Sequence, residues 1–220
     1  MINIKDNTVS AENQMKNSSL VYFLGNPNAK KRILVVGNSI TRHGPCKEIG
    51  WERDWGMAAS APENDYVHRL FSMLTEYGQD VFMRIRQASH WERNYRKEDV
   101  LESYLDDKDF QADVVIFRLG ENILNEDKPF FANAVESFIE FIAQKTSKVI
   151  FTTCFWKNEI IDESIENYAK KLGAVCVNCC FSKDEKNMAI GQFEHSGVSI
   201  HPSDAGMEEI AKALFETLKK

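Results

Sequence analysis

A serine, an asparagine and a histidine stand at three distant turns of this chain, and as a set they can transfer an acyl group. Ser39 lies in "GNSIT", directly after an aliphatic run. Asn122 lies in "GEN", after another such run, and His201 lies in "SIHPSDAG", ahead of the last helical segment. A serine hydroxyl is a weak nucleophile at neutral pH and needs a neighbouring base; histidine is the side chain whose pKa suits that task. Attack on an ester carbonyl places charge on oxygen, which the Asn122 amide and the Ser39 N–H can meet as oxyanion donors. Taken singly, each residue has an ordinary reading: Ser39 as a turn residue, Asn122 as a turn cap, His201 as a residue leading into a helix before Pro202. Their joint occurrence favours a catalytic site.

The elements that must bring the three together follow from hydrophobic pattern. β-branched and aliphatic runs at 32–38, 81–85, 113–120, 148–154 and 174–178 read as strands, four of the five nearly continuous in apolar residues as strands buried on both faces are. Helical periodicity predicts helices at 62–77, 97–105, 129–145, 160–172 and 203–218. Pro62 and Pro129 suit first-turn positions, Gly78 and Gly173 follow helix ends, and Ser203 with Asp204 caps the last helix, Asp204 being the expected N-cap. Repeated β-α units with right-handed crossovers give an α/β fold, a three-layer αβα domain with a parallel sheet of about five strands. Residues 20–25 can add an edge element, residues 1–19 read as a polar leader, and 20–220 as one domain. In an open parallel sheet, ligands bind beyond the carboxyl ends of the strands. Ser39 and Asn122 both follow such ends.

With those residues placed, "GNSIT", "GEN" and "IHPSDAG" resemble, in order, the first, third and last sequence blocks of the SGNH, or GDSL-type, hydrolases. The resemblance spans nearly the whole chain from Lys31 onward. It implies a flavodoxin-like sheet in strand order 2-1-3-4-5 and hydrolysis of acyl esters without a metal or organic cofactor. It also implies Ser39 as nucleophile, His201 as base and Asn122 as oxyanion donor. Three positions depart from the pattern. The usual Asp of the first block is Asn38. The second block has no glycine in "RQASHWERN", so its main-chain oxyanion donor falls to Ala88 or Ser89, with Ser89 favoured. The acid expected three residues before the histidine is Val198. A main-chain carbonyl in the 197–199 turn, assigned to Val198, or the carboxylate of Glu194 must then orient His201, and a Ser-His dyad is the leading form.

Composition narrows the partners. The 220 residues are 43% hydrophobic with a net charge of −6 and no basic tract, which argues against nucleic-acid binding. Five cysteines, an odd number, favour reduced thiols and a cytoplasmic setting over a disulfide framework. No apolar run is long enough to span a membrane, and no signal peptide is evident. "CVNCC" (176–180) offers metal-like spacing but lacks a second ligand pair, so buried thiols are the simpler reading. Trp- and Arg-rich segments suggest a polar pocket, with His43, Trp55, Trp91 and Gly120 as lining candidates. Arg118, near the end of a buried strand, calls for a carboxylate partner, Glu52 or Glu92. The expected substrate is a small-molecule or carbohydrate ester carrying a small acyl group such as acetyl. The competing readings are a thioesterase or lysophospholipase on the same site, a non-catalytic carbohydrate-binding protein on the same fold, and a metal or redox module on the cysteines. The sequence is silent on oligomeric state.

Overall fold

Alternate residues of the central strands point to opposite faces, and both faces are covered. In the computed structural model, which describes residues 20–219, Ile33 and Val35 join Ile85, Ile116 and Ile150 in one apolar cluster, while Leu34 and Val36 join Val115, Phe117 and Phe151 in another. The strands are β1 (Val21–Gly25), β2 (Lys31–Gly37), β3 (Val81–Gln87), β4 (Val114–Arg118), β5 (Lys148–Thr152) and β6 (Val175–Val177). They form one sheet in the order β1-β3-β2-β4-β5-β6. β2 to β6 are parallel, and their order is the expected 2-1-3-4-5. The sheet has six strands rather than five, because β1 pairs antiparallel with β3 and covers what would otherwise be an edge. Phe23 of β1 stacks on Phe82 of β3, with ring centroids 5.3 Å apart.

Helices α1 (Tyr66–Glu76) and α7 (Asp204–Leu218) cover the first face. Helices α4 (Phe131–Ile142) and α5 (Glu159–Leu172) cover the second. Their starts differ in detail from the sequence reading. Pro62 opens a separate 3₁₀ turn, Pro62–Asn64, and Asp65 caps α1 by accepting from the His68 N–H. Ser203, not Asp204, is the N-cap of α7; its Oγ accepts from the Gly206 N–H. Asp204 instead accepts from the Ser60 N–H and Oγ at 2.8 and 2.6 Å, tying the 60s loop to α7.

The largest departure lies after β3. No single helix fills 97–105; a 3₁₀ turn (Val100–Tyr104) takes most of it, between α2 (Ser89–Asn94) and α3 (Leu105–Asp109). β3 runs on to Gln87, so the chain enters α2 at once and carries Trp91 into the core, stacked on Phe138 at 4.7 Å. A third, small apolar cluster joins Cys46, Ile49, Trp51, Met57 and Ala58 to Ala189 and Val198. It fastens the segment after Ser39 to the segment before His201. A one-turn helix, α6 (Ser196–Ser199), lies in that second segment. Among the described residues, no helix is long and apolar enough to cross a membrane. The proposed leader, 1–19, lies outside the described residues.

Candidate active site

The site forms where β2, β3, β4 and β5 end at the same edge of the sheet. β2 stops at Gly37, where a Cβ would sit 1.8 Å from Thr41 Oγ1 and 2.7 Å from Thr41 Cβ, so a glycine lets Thr41 pack against the strand end. The Asn38 carbonyl accepts from Thr41 and Arg42 N–H at 2.9 and 3.0 Å, and its Oδ1 accepts from the Ile40 N–H at 3.3 Å. This Asx turn holds Ser39 at the end of the strand. The Ser39 carbonyl in turn accepts from the Met57 N–H at 2.9 Å.

Ser39 Oγ lies 2.8 Å from His201 Nε2. On the other side of the ring, Nδ1 lies 2.5 Å from the carbonyl oxygen of Gly197. A carbonyl can only accept, so Nδ1 carries the proton and Nε2 is a bare acceptor for the serine hydroxyl. Burial holds the imidazole down to about 3, which keeps it neutral. The edge of Trp156 faces His201, with ring centroids 5.2 Å apart.

The carbonyl that reaches the His201 ring is that of Gly197, one position before the assigned Val198. The Val198 carbonyl is taken up by the His201 N–H at 3.0 Å, because the chain makes a helical turn there, and Gly197 is the residue whose carbonyl reaches the ring. The Val198 side chain is buried in the small cluster under Trp51. Glu194 is exposed, and the Nδ1 position is filled by Gly197.

Asn122 follows β4 as expected, with its amide held from below. Nδ2 donates one hydrogen to Glu92 Oε2 at 2.6 Å, which leaves the second available for a ligand. The second-block donor does not materialise at the assigned residues. The Ser89 N–H donates to Gln87 Oε1 at 3.1 Å and the Ala88 N–H to the Gly37 carbonyl at 2.7 Å. Both are consumed in anchoring α2 to the strand ends.

The suggested pocket lining is largely structural. Trp91 is core. Trp55 donates from Nε1 to the Ala59 carbonyl at 2.9 Å and packs edge-on to Trp51. His43 is buried rather than solvated, its Nδ1 2.7 Å from the Gly44 carbonyl, and burial lowers it to about 4. Gly120 donates its N–H to Glu92 Oε1 at 2.6 Å and has φ +142°; a Cβ there would lie 2.6 Å from Ile161 Cγ2. Arg118 pairs with Glu121, not with Glu52 or Glu92, because Glu121 follows it three residues on at the end of the same strand. The carboxylates under the site, Glu92 and Glu121, escaped the sequence reading as site residues. The signal available for them was an amide at 38 where an acid is usual, together with the acids inside the second and third blocks, "RQASHWERN" and "GEN". The cysteines are free thiols, and no group of metal-ligating side chains occurs among the described residues.

Three-layer architecture, strand order and the placement of Ser39, Asn122 and His201 at one sheet edge define the class: the chain has the fold of the SGNH/GDSL-type hydrolases. No protein-family model matches the chain, and no curated protein matches it in sequence. The likeness is to solved structures. The psychrotrophic esterase EstA from Pseudoalteromonas sp. is 12% identical, with a TM-score of 0.53 over 86% of this chain and 97% of that one. LAE5, an alpha/beta hydrolase from the metagenome of Lake Arreo, is 17% identical, with a TM-score of 0.55 over 86% and 94%. The acetylxylan esterase Axe2 from Geobacillus stearothermophilus is 16% identical, with a TM-score of 0.52 over 86% and 94%.

Proposed function

We propose that this protein is a serine esterase that removes small acyl groups, acetyl among them, from a polar or carbohydrate-like alcohol. The observation that carries the reading is the 2.8 Å contact between Ser39 Oγ and a His201 Nε2 whose tautomer is set by Gly197. Ser39 Oγ attacks the acyl carbon while Nε2 takes its proton. The carbonyl oxygen becomes an oxyanion, met by the Ser39 N–H and the second hydrogen of Asn122 Nδ2. When the intermediate collapses, the C–O bond to the alcohol breaks and His201 returns the proton to the leaving oxygen. Water, deprotonated by the same Nε2, then attacks the acyl-serine, and the acid leaves with Ser39 restored. The Gly197 carbonyl supplies orientation without a full negative charge, which defines a dyad rather than a triad. The carbohydrate-like alcohol draws its support from similarity in fold to an acetylxylan esterase, and the small acyl group from the same source.

An organophosphonate is the direct test, the EstA structure being that of the enzyme inhibited by monoethylphosphonate. Peptide mapping after labelling should find the adduct on Ser39, and Ser39→Ala should take neither label nor p-nitrophenyl acetate. Label on another serine, or undiminished hydrolysis in the variant, would end the proposal. A p-nitrophenyl ester series should show rate falling beyond short chains; a rise with chain length would move the assignment to the lysophospholipase or thioesterase reading.

A further inference from the structure

Beneath Ser39 lies a buried polar network that the dyad does not use. Glu92 of α2 is fully buried. Its Oε1 accepts from the Gly120 N–H at 2.6 Å, from Asn38 Nδ2 at 3.2 Å and from the Asn122 N–H at 3.4 Å; its Oε2 accepts from Asn122 Nδ2 at 2.6 Å. A second carboxylate, Glu121, accepts from Asn38 Nδ2 at 2.6 Å and from the Phe155 N–H at 3.0 Å, and pairs with the Arg118 guanidinium. Arg118 Nη1 also donates to Asn38 Oδ1 at 3.0 Å. Asn38 therefore gives one side-chain hydrogen to each carboxylate and accepts from the cation.

We propose that Glu92 is a positioning residue for ester hydrolysis, its carboxylate fixing the Asn122 carboxamide, with Asn38 as the neutral bridge that two adjacent carboxylates require. The proposal rests on the esterase reading for its rate consequences. Its geometric core is that both oxygens of Glu92 face N–H donors at 2.6 Å. A glutamine has one oxygen to offer. The Gly120 donor is main chain, held at φ +142° with no space beside it, so in Glu92→Gln the single side-chain oxygen must go to Gly120. The new NH₂ group then meets Asn122 Nδ2, and the Asn122 carboxamide has to turn over, taking Nδ2 from the place where Glu92 holds it. An aspartate at 38 would set a third carboxylate against the other two and remove both shared hydrogens. The unusual Asn38 is thus the counterpart of Glu92 and Glu121.

The arrangement has a titratable element. Protonated Glu92 would present an O–H to a donor and release Asn122. The ionisable groups around it are Glu121 after β4, Arg118 at the end of β4 through Asn38 and Glu121, Cys154 after β5, and Tyr104 of the 3₁₀ turn. Burial first, and the Glu121 charge second, push Glu92 up to about 7. Burial lowers His201 well below the ordinary histidine value, and the loss of the acid limb in Glu92→Gln separates Glu92 from the base.

Two measurements on the intact chain test this. Side-chain amide signals of Asn122 and Asn38, followed by ¹⁵N NMR from pH 5 to 9, should titrate with a midpoint near 7 in the wild type and lose that titration in Glu92→Gln. In the same variant, kcat for p-nitrophenyl acetate should fall about a hundred- to a thousandfold, with KM changed roughly threefold or less and the acid limb near pH 7 gone. An Asn122 amide indifferent to pH, an acid limb near pH 7 that survives in folded Glu92→Gln, or a kcat within about threefold of wild type would overturn the proposal. If Glu92→Gln does not fold, the wild-type titration decides. A wild type that shows the titration but hydrolyses no ester removes the esterase reading and leaves the hold on Asn122 standing.

Discussion

His201→Gln should flatten the acid side of the stability curve, by an amount that follows from the surroundings of the imidazole. Burial holds His201 down to about 3 in the folded protein, against 6.5 for an exposed histidine. Between those values the unfolded chain binds a proton that the folded protein refuses, so stability is present above the unfolded value and is lost as pH falls. The limiting slope is about 1.4 kcal/mol per pH unit. Weighted by the unfolded chain's proton occupancy between pH 6 and 5, His201 accounts for about 1 kcal/mol of lost stability. His43, lowered to about 4 by burial, adds a similar loss. Glu92 works in the opposite sense: raised to about 7 from 4.5, it keeps a proton that the unfolded chain releases, so stability rises as pH falls from 7 to 4.5. Both of these contributions are present in wild type and variant and cancel in the comparison. Urea unfolding at pH 6 and pH 5, followed by tryptophan fluorescence, should therefore show the wild type losing about 1 kcal/mol more than His201→Gln. Equal losses would mean that the imidazole ionises freely in the folded protein, and the neutral base would have to be abandoned.

Other perturbations read other parts of the site. Asn122→Ala should lower kcat by about a hundred- to a thousandfold with little effect on KM, whereas a change confined to KM would assign the amide to substrate binding. Glu194→Gln should keep nearly wild-type kcat, since Nδ1 of His201 is satisfied by Gly197; a loss beyond about a hundredfold in folded protein would restore a carboxylate as third member. Gly120→Ala forces a side chain into left-handed backbone and places its Cβ 2.6 Å from Ile161 Cγ2 and 2.8 Å from Cys154 Sγ, so urea denaturation should show a loss of about 2–4 kcal/mol, and a loss below about 1 kcal/mol would refute the tight fit.

Much of the architecture was legible from pattern because the pattern is local. Five apolar runs, four of them nearly continuous, read as strands of a covered parallel sheet, and a residue following such a strand is at the edge where ligands gather. Ser39, Asn122 and His201 stood out because each is a chemically able side chain at a turn. β1 was harder to see, since a five-residue edge strand exposes half its side chains and is stabilised by one partner, β3. The helix at 89–94 lies outside the expected helices, and β3 extends two residues further than its apolar run; Trp91 and Glu92 are drawn inside by what waits there, Phe138 for the ring and four N–H donors for the carboxylate.

Which carbonyl meets the His201 ring, and which residues hold the Asn122 amide, were decided by tertiary structure alone. A carbonyl has no sequence signature, because every residue carries one. Gly197 acquires its role only when the small cluster of Trp51 and Val198 fixes the turn before His201. The partners of Asn38 are likewise remote in the chain: Glu92 arrives from α2 and Glu121 from the end of β4, and neither spacing nor periodicity relates them. Hydrophobic burial is read along one segment at a time, whereas hydrogen-bond complementarity needs donors and acceptors from several segments at fixed distances, which exist only once the chain has folded.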